Sequence, residues 1–110
     1  MKTSELTGAA LDWAVGTAMK LPPPYWADGK CASFSTDWAQ GGPIIEREKI
    51  GIERCIHAGE YHGWRALKDY PFDASVPEET TWGDTPLIAA MRCYVASKMG
   101  DNIDIPEELK

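Results

Sequence analysis

The segment from Thr85 to Met99 constrains the fold more than any other part of this 110-residue chain. Thr85 is a favoured N-cap residue, Pro86 suits the first helical position, and Gly100 suits the position after the last turn. The clearly polar side chains between them are few: Arg92, Ser97 and Lys98. A helix with so few polar positions has to be covered on most sides. We therefore predict a central helix over 85–99, with one face on the core and another on a second copy of the chain.

A second helix is predicted near the N-terminus. Apolar side chains recur at helical spacing over residues 4–20, and Ser4 or Thr7 can serve as its N-cap. The periodicity directs Asp12 away from the apolar faces, so we expect its carboxylate to lie in solvent.

A β-hairpin is predicted in the middle of the chain. Residues 51–56 alternate moderately between apolar and polar, and a glycine-containing turn leads to the partner strand at 64–67. The fold class that follows is α+β. Two main helices, at about 4–20 and 85–99, pack on a small antiparallel sheet that includes the 51–67 hairpin.

Two further segments have weaker patterns. Residues 68–82 are polar, contain two prolines and lack periodicity, which predicts a surface loop or a lid. The acidic tail 101–110 carries Ile103 and Ile105 in alternation, which is typical of a short edge strand.

Length and charge limit the classes of function. A chain of this length predicts one domain over 1–110. The formal net charge of −6 argues against direct binding to nucleic acid, because contacts to phosphates require a surplus of Lys and Arg. We also expect no membrane association, since no apolar run approaches the length of a transmembrane helix.

Cysteine and histidine content bears on metals and on the cellular compartment. Three cysteines without CxxC spacing, and only His57 and His62 besides, predict neither a zinc site nor a bound cofactor. An odd number of unpaired cysteines, with no signal peptide ahead of them, is typical of a reducing cytoplasm.

The stretch 35–48 has the most unusual composition. It reads STDWAQGGPIIERE and combines capping residues, a tryptophan, a double glycine, a proline and a charged cluster. Gly41 and Gly42 allow a positive φ or a close approach to another group. In a structural interpretation, Trp38 fills the core and the glycines form a tight corner.

A functional interpretation of the same stretch stays open beside the structural one. Here the tryptophan and the glycine backbone line a ligand pocket whose polar groups come from the neighbouring side chains. The predicted ligand-binding residues are Asp37, Trp38, Gln40, Gly41, Gly42, Glu46 and Arg47. For a nucleotide, the indole of Trp38, Trp26 or Trp64 would stack on the base, while the glycine N–H groups and the Arg47 guanidinium would contact phosphate.

Three blocks of the chain resemble the NinX-like family of small lambdoid phage and prophage proteins. The blocks are ELTGAALDWAV at 5–15, STDWAQGGPIIERE at 35–48 and TPLIAAMRCYVASK at 85–98. The resemblance implies a phage origin and expression in the cytoplasm of a bacterial host. It implies no catalytic residues, because the family is a domain of unknown function.

We infer a phage accessory protein, and the sequence favours a non-enzymatic binding module over an enzyme. Its partner would be a small ligand, nucleotides being one class, or a host protein, and the central helix predicts a homodimer or higher homo-oligomer. The alternative is a small hydrolase that uses carboxylates near Trp38–Glu48, a stretch that we predict to be a loop. Since Glu46 and Glu48 diverge in a strand and in a helix alike, a solvated charge cluster is the favoured interpretation of this pair. An acidic mimic of nucleic acid ranks last, because the carboxylates are interleaved with Lys and Arg.

Overall fold

Helices cover one face of an antiparallel sheet in this computed structural model, which describes residues 1–20, 32–57, 60–68 and 81–109. The helices of the described residues are α1 (Gly8–Ala18), α2 (Trp38–Glu48) and α3 (Pro86–Met99). The strands are β1 (Ile50–His57), β2 (Glu60–Lys68) and β3 (Thr81–Gly83), and short 3-10 turns occupy Thr3–Glu5 and Glu107–Leu109. The predicted α+β class is confirmed.

Helix α3 has the ends that the sequence predicts. The Thr85 hydroxyl accepts a hydrogen bond from the backbone N–H of Ile88 at 3.1 Å, and Pro86 is the first helical residue. Gly100 ends the helix with a φ of 86°, a conformation that is costly for residues with a Cβ. The residues that begin and end this helix can therefore be identified from the local sequence.

The apolar faces of α3 are covered by the chain itself. The helix contacts α1, α2 and all three strands. Its buried residues are Leu87, Ala89, Ala90, Met91, Cys93, Tyr94 and Val95. The apolar composition of this helix, from which we predicted an oligomer, is thus explained by contacts within one copy of the chain. A homo-oligomer through 85–99 stays a prediction, but the composition of the helix no longer supports it.

Helix α1 is shorter than predicted and differs at one polar position. It starts at Gly8 with Thr7 as N-cap, and the residues before it form the first 3-10 turn. The expectation that Asp12 lies in solvent was wrong: the residue is only 8% exposed. Its Oδ1 accepts a hydrogen bond from the backbone N–H of Ser35 at 2.8 Å, which attaches α1 to the turn before α2.

The sheet has the strand order β1-β2-β3, and both pairings are antiparallel. The predicted hairpin is confirmed, with longer strands: Ile50 pairs with Lys68 at one end and His57 with Glu60 at the other. The predicted 68–82 loop was wrong at both ends, since Lys68 belongs to β2 and 81–83 form β3. Residues 69–80 of that loop lie outside the described residues.

The two ends of the chain meet. The N-terminal amino group donates to the carbonyl of Ile103 at 3.0 Å, and the Ile103 N–H donates to the carbonyl of Met1 at 3.0 Å. Lys2 and Asn102 form an isolated antiparallel bridge. Ile103 and Ile105 are buried, so the predicted edge strand is instead a bridge followed by two core side chains.

No helix among the described residues has the length and apolar character needed to span a lipid bilayer.

Candidate functional site

The predicted ligand-binding stretch forms helix α2 rather than a loop. Asp37 is its N-cap, and the carboxylate accepts from the Ala39 N–H at 2.9 Å and from the Gln40 side-chain amide at 2.9 Å. The hydrogen bond from Gln40, and then the one from Ala39, lowers the pKa of Asp37. Gln40 also accepts from the Ser33 N–H at 2.8 Å. Both predicted polar residues therefore close the turn that starts the helix.

The two glycines lie inside α2 and have different surroundings. Gly41 is buried, and a Cβ at this position would lie 2.7 Å from Leu87 Cδ1 and closer still to the Phe34 carbonyl oxygen. Its N–H donates to the Asp37 carbonyl at 2.9 Å, so the group predicted to contact phosphate is already engaged. A Cβ at Gly42 would meet nothing within 4 Å. The tight corner of the structural interpretation was wrong, whereas the close approach occurs at Gly41.

Trp38 is not a core residue. It is 53% exposed, so the interpretation in which it fills the core was wrong. Its side chain borders a cavity of about 220 Å³ at the N-terminus of α2, together with Ser35, Thr36, Thr85, Leu87 and Ile88. Of the seven predicted ligand-binding residues, Trp38 is the one that lines this cavity.

The charged residues at the C-terminal end of α2 do not line the cavity beside Trp38. Glu46 and Arg47 are exposed, and Arg47 Nε donates to Glu48 Oε2 at 3.1 Å. Glu48 also lies 3.4 Å from Lys68 Nζ and 3.5 Å from Lys98 Nζ. The hydrogen bond from Arg47 is the main reason why the pKa of Glu48 is lowered, and the two lysines lower it further. Glu48 is therefore an ionised link between α2, β2 and α3.

The seven predicted residues thus occupy three settings: the cap, the packed interior and the exposed surface of one helix. They do not converge on a shared pocket among the described residues, and ligand binding by them stays a prediction.

A larger concave site lies on another side of α3. This cavity, called the α3 groove below, has a volume of about 900 Å³. It runs between α3, the ends of β2 and β3, and the paired chain termini. Its lining residues are Lys2, Thr3, Ser4, Leu67, Lys68, Thr81, Trp82, Arg92, Cys93, Ala96, Ser97, Asp101 and Asn102.

Three hydroxyl groups that line the α3 groove donate to backbone carbonyls. Thr3 Oγ1 donates to Gly100 at 2.7 Å, Thr81 Oγ1 to Ala89 at 2.9 Å and Ser97 Oγ to Tyr94 at 2.8 Å. A hydroxyl becomes a nucleophile when a general base accepts its proton. In these three residues a carbonyl oxygen takes the place of the base.

The thiol in the α3 groove is held in its protonated form. Cys93 is buried, and burial raises the pKa of its thiol above the ordinary value of 9.0. The thiolate is the nucleophilic form of cysteine, so this side chain stays protonated near neutral pH.

Arg92 is the basic side chain that α3 presents to the groove. Its Nε donates to the Leu6 carbonyl at 2.8 Å and its Nη1 to the Trp82 carbonyl at 2.7 Å. Burial lowers the pKa of Arg92, and Asp84 opposes that shift. Sequence reasoning noted this arginine only as a rare polar residue on an apolar helix. That rarity was the available signal, because a charge on a buried helix has to serve a contact.

Metal binding has little support in the described part of the chain. No group of three or more His, Cys, Asp or Glu residues is arranged there to hold a metal ion. The side chains of His57 and His62 lie outside the described residues.

A family model described as bacteriophage P22 NinX matches residues 2–98. The match covers all three blocks on which the sequence resemblance depends, and it confirms that resemblance. The comparison with curated proteins gives no match.

Proposed function

We propose that this chain, which belongs to the bacteriophage P22 NinX family, is a non-enzymatic phage protein that binds a small ligand in the α3 groove. The observation that carries the proposal is the groove itself, at about 900 Å³ beside the central helix. Pockets of about 300–1,000 Å³ are typical of small-molecule sites. The cavity beside Trp38, at about 220 Å³, is below that range.

The lining chemistry favours binding over catalysis. The hydroxyls of Thr3, Thr81 and Ser97 are held by backbone carbonyls, and the Cys93 thiol is protonated. Such a site can orient a ligand through hydrogen bonds and charge while activating none of these four side chains as a nucleophile.

The carboxylates of α2 do not support the hydrolase alternative. Glu48 has a lowered pKa and three cationic neighbours, which makes it a poor proton donor near neutral pH. Glu46 lies exposed on the same helix.

A thermal-shift screen tests the proposal. The wild type and two variants are heated with nucleotides, cyclic nucleotides and common metabolites. Ser97→Trp places a bulky ring at an exposed position of the groove, and Trp38→Ala alters the site that the sequence predicted. A hundredfold excess over Kd stabilises the native state by about 2.7 kcal/mol, which is easily detected.

The expected result is a ligand whose shift is lost in Ser97→Trp and retained in Trp38→Ala. The reverse pattern would move the ligand to the N-terminus of α2. A panel without any shift would favour the other partner that the sequence allows, a host protein.

A further inference from the structure

The described residues that line the α3 groove carry more cations than carboxylates. They include three cations, Lys2, Lys68 and Arg92, and one carboxylate, Asp101, which gives these lining residues a formal charge of +2 (three minus one). The whole chain has a formal charge of −6. Two further carboxylates act on these cations: Glu48 lies 3.4 Å from Lys68 Nζ, and Asp84 favours the charged form of Arg92. A concave site whose lining carries more cations than carboxylates attracts anionic ligands.

One of these cations is fixed in place. Arg92 uses two of its five N–H groups for the carbonyls of Leu6 and Trp82, which sets the plane of the guanidinium at the groove wall. Asp84 lies near enough to favour its charged form. A guanidinium positioned in advance loses less conformational freedom when it binds an anion.

A second cation is exchangeable. Lys68 Nζ lies 3.4 Å from Glu48 Oε1, and its side chain is 35% exposed. Glu48 has two other cationic partners, Lys98 at 3.5 Å and Arg47 at 3.1 Å. Lys68 can therefore turn towards a ligand without leaving the Glu48 carboxylate unpaired.

We propose that the ligand of the α3 groove is an organic phosphate that Arg92 and Lys68 bind together. Arg92 is already in position, whereas the Lys68 side chain moves away from Glu48 to contact the phosphate. This inference rests on the proposed function and specifies the ligand class. A planar guanidinium fork together with a mobile ammonium group suits the several oxygens of a phosphate. Glu48 is then a competing counter-ion inside the protein.

The test uses NMR titration of the ¹⁵N-labelled chain, because amide shifts locate the site even for weak binding. The probes are adenosine monophosphate, adenosine and inorganic phosphate. The variants Ser97→Glu and Ser97→Gln form a matched pair at an exposed groove position: both add a side chain of similar size and one adds a negative charge. Glu48→Gln removes the competing carboxylate.

The nucleotide should shift amides around the groove and bind at least about tenfold more tightly than adenosine, which corresponds to about 1.4 kcal/mol. Ser97→Glu should weaken nucleotide binding several-fold relative to Ser97→Gln, and Glu48→Gln should strengthen it. Adenosine should bind equally to all of these variants. A nucleotide preferred over inorganic phosphate would identify an organic ligand, whereas equal affinity would indicate a site for the free ion.

Equal binding of adenosine and its monophosphate, or equal effects of Ser97→Glu and Ser97→Gln, would overturn the inference. So would the absence of groove shifts with any probe. A neutral compound that stabilises the wild type but not Ser97→Trp would, in that case, leave the proposed function standing.

Discussion

At position 41 the chain has room for a hydrogen atom and nothing larger. The neighbours of Gly41 are the Phe34 carbonyl and the Leu87 side chain, which come from the preceding turn and from α3. The next residue, Gly42, has open space where a Cβ would be. The sequence indicates that this pair is unusual. It does not indicate which glycine is needed, because that depends on how α2 packs on the preceding turn and on Leu87 of α3.

Alanine should be far more costly at position 41 than at position 42. Gly41→Ala should destabilise the fold by about 1–3 kcal/mol, because the methyl group has to displace a backbone carbonyl or Leu87. Gly42→Ala should change the stability by less than about 1 kcal/mol, because no residue beyond its chain neighbours and its own helix lies within 4 Å of the added methyl group, and the helix preference of alanine is opposed by the ring of Pro43. Urea denaturation measures both. Equal effects of the two substitutions would contradict the packing described for α2.

Asp12 illustrates what helical periodicity cannot predict. A single carboxylate on an apolar helix is normally assigned to solvent. Here the compensating donor is the Ser35 N–H, 23 residues away in sequence, and no local pattern reveals it. Burial raises the pKa of Asp12 above the ordinary 3.8, and the hydrogen bond from the Ser35 backbone N–H offsets part of that shift.

The raised pKa of Asp12 makes stability depend on pH. In the pH range just above 3.8 the folded chain holds a proton on Asp12 that the unfolded chain releases. The contribution of this group to the free energy of unfolding is therefore fully present below the ordinary pKa and is lost as pH rises through the folded-state pKa. Relative to Asp12→Asn, the wild type should gain stability as pH falls from neutral towards about 4.

Urea denaturation across that pH range tests the prediction, with Asp104→Asn as a control at an exposed carboxylate. If Asp12→Asn and Asp104→Asn showed the same pH dependence, the burial of Asp12 would not be responsible.

At the scale of helices and strands, the sequence predicted the elements whose ends are held by hydrogen bonds between residues close in sequence. The cap of α3 and the β1–β2 hairpin are examples. Helix α2 was missed because Gly41, Gly42 and Pro43 all have low helix propensity. The helix forms regardless, since Asp37 caps it and Ile44, only 1% exposed, anchors it in the core. Strand β3 was missed because three residues are too few for a pattern.

The N-cap hydrogen bond of α3 should contribute measurably to the free energy of unfolding. Thr85→Ala removes the acceptor for the Ile88 N–H and should cost about 1 kcal/mol. Thr85→Ser retains a hydroxyl and should cost much less. Thermal and urea denaturation of the two variants gives the comparison, and equal losses would show that the hydrogen bond at the cap contributes nothing.

At the scale of the whole molecule, the sequence predicted the class of fold, which is confirmed, and a ligand site in the continuous stretch 35–48, which stays a prediction. The site that we propose, the α3 groove, instead combines residues near both termini with β2, β3 and α3. The surplus of cations among its described lining residues is likewise a local property that the net charge of −6 conceals. A site assembled from distant segments becomes visible once the elements are packed.

A calorimetric titration with the compound that gives the strongest thermal shift tests whether the ligand binds in the α3 groove. We predict that the wild type and Trp38→Ala bind one equivalent with the same affinity. We also predict that Ser97→Trp does not bind, although its circular dichroism spectrum should match that of the wild type. Unchanged binding to Ser97→Trp would place the ligand outside the α3 groove and would contradict the proposed function.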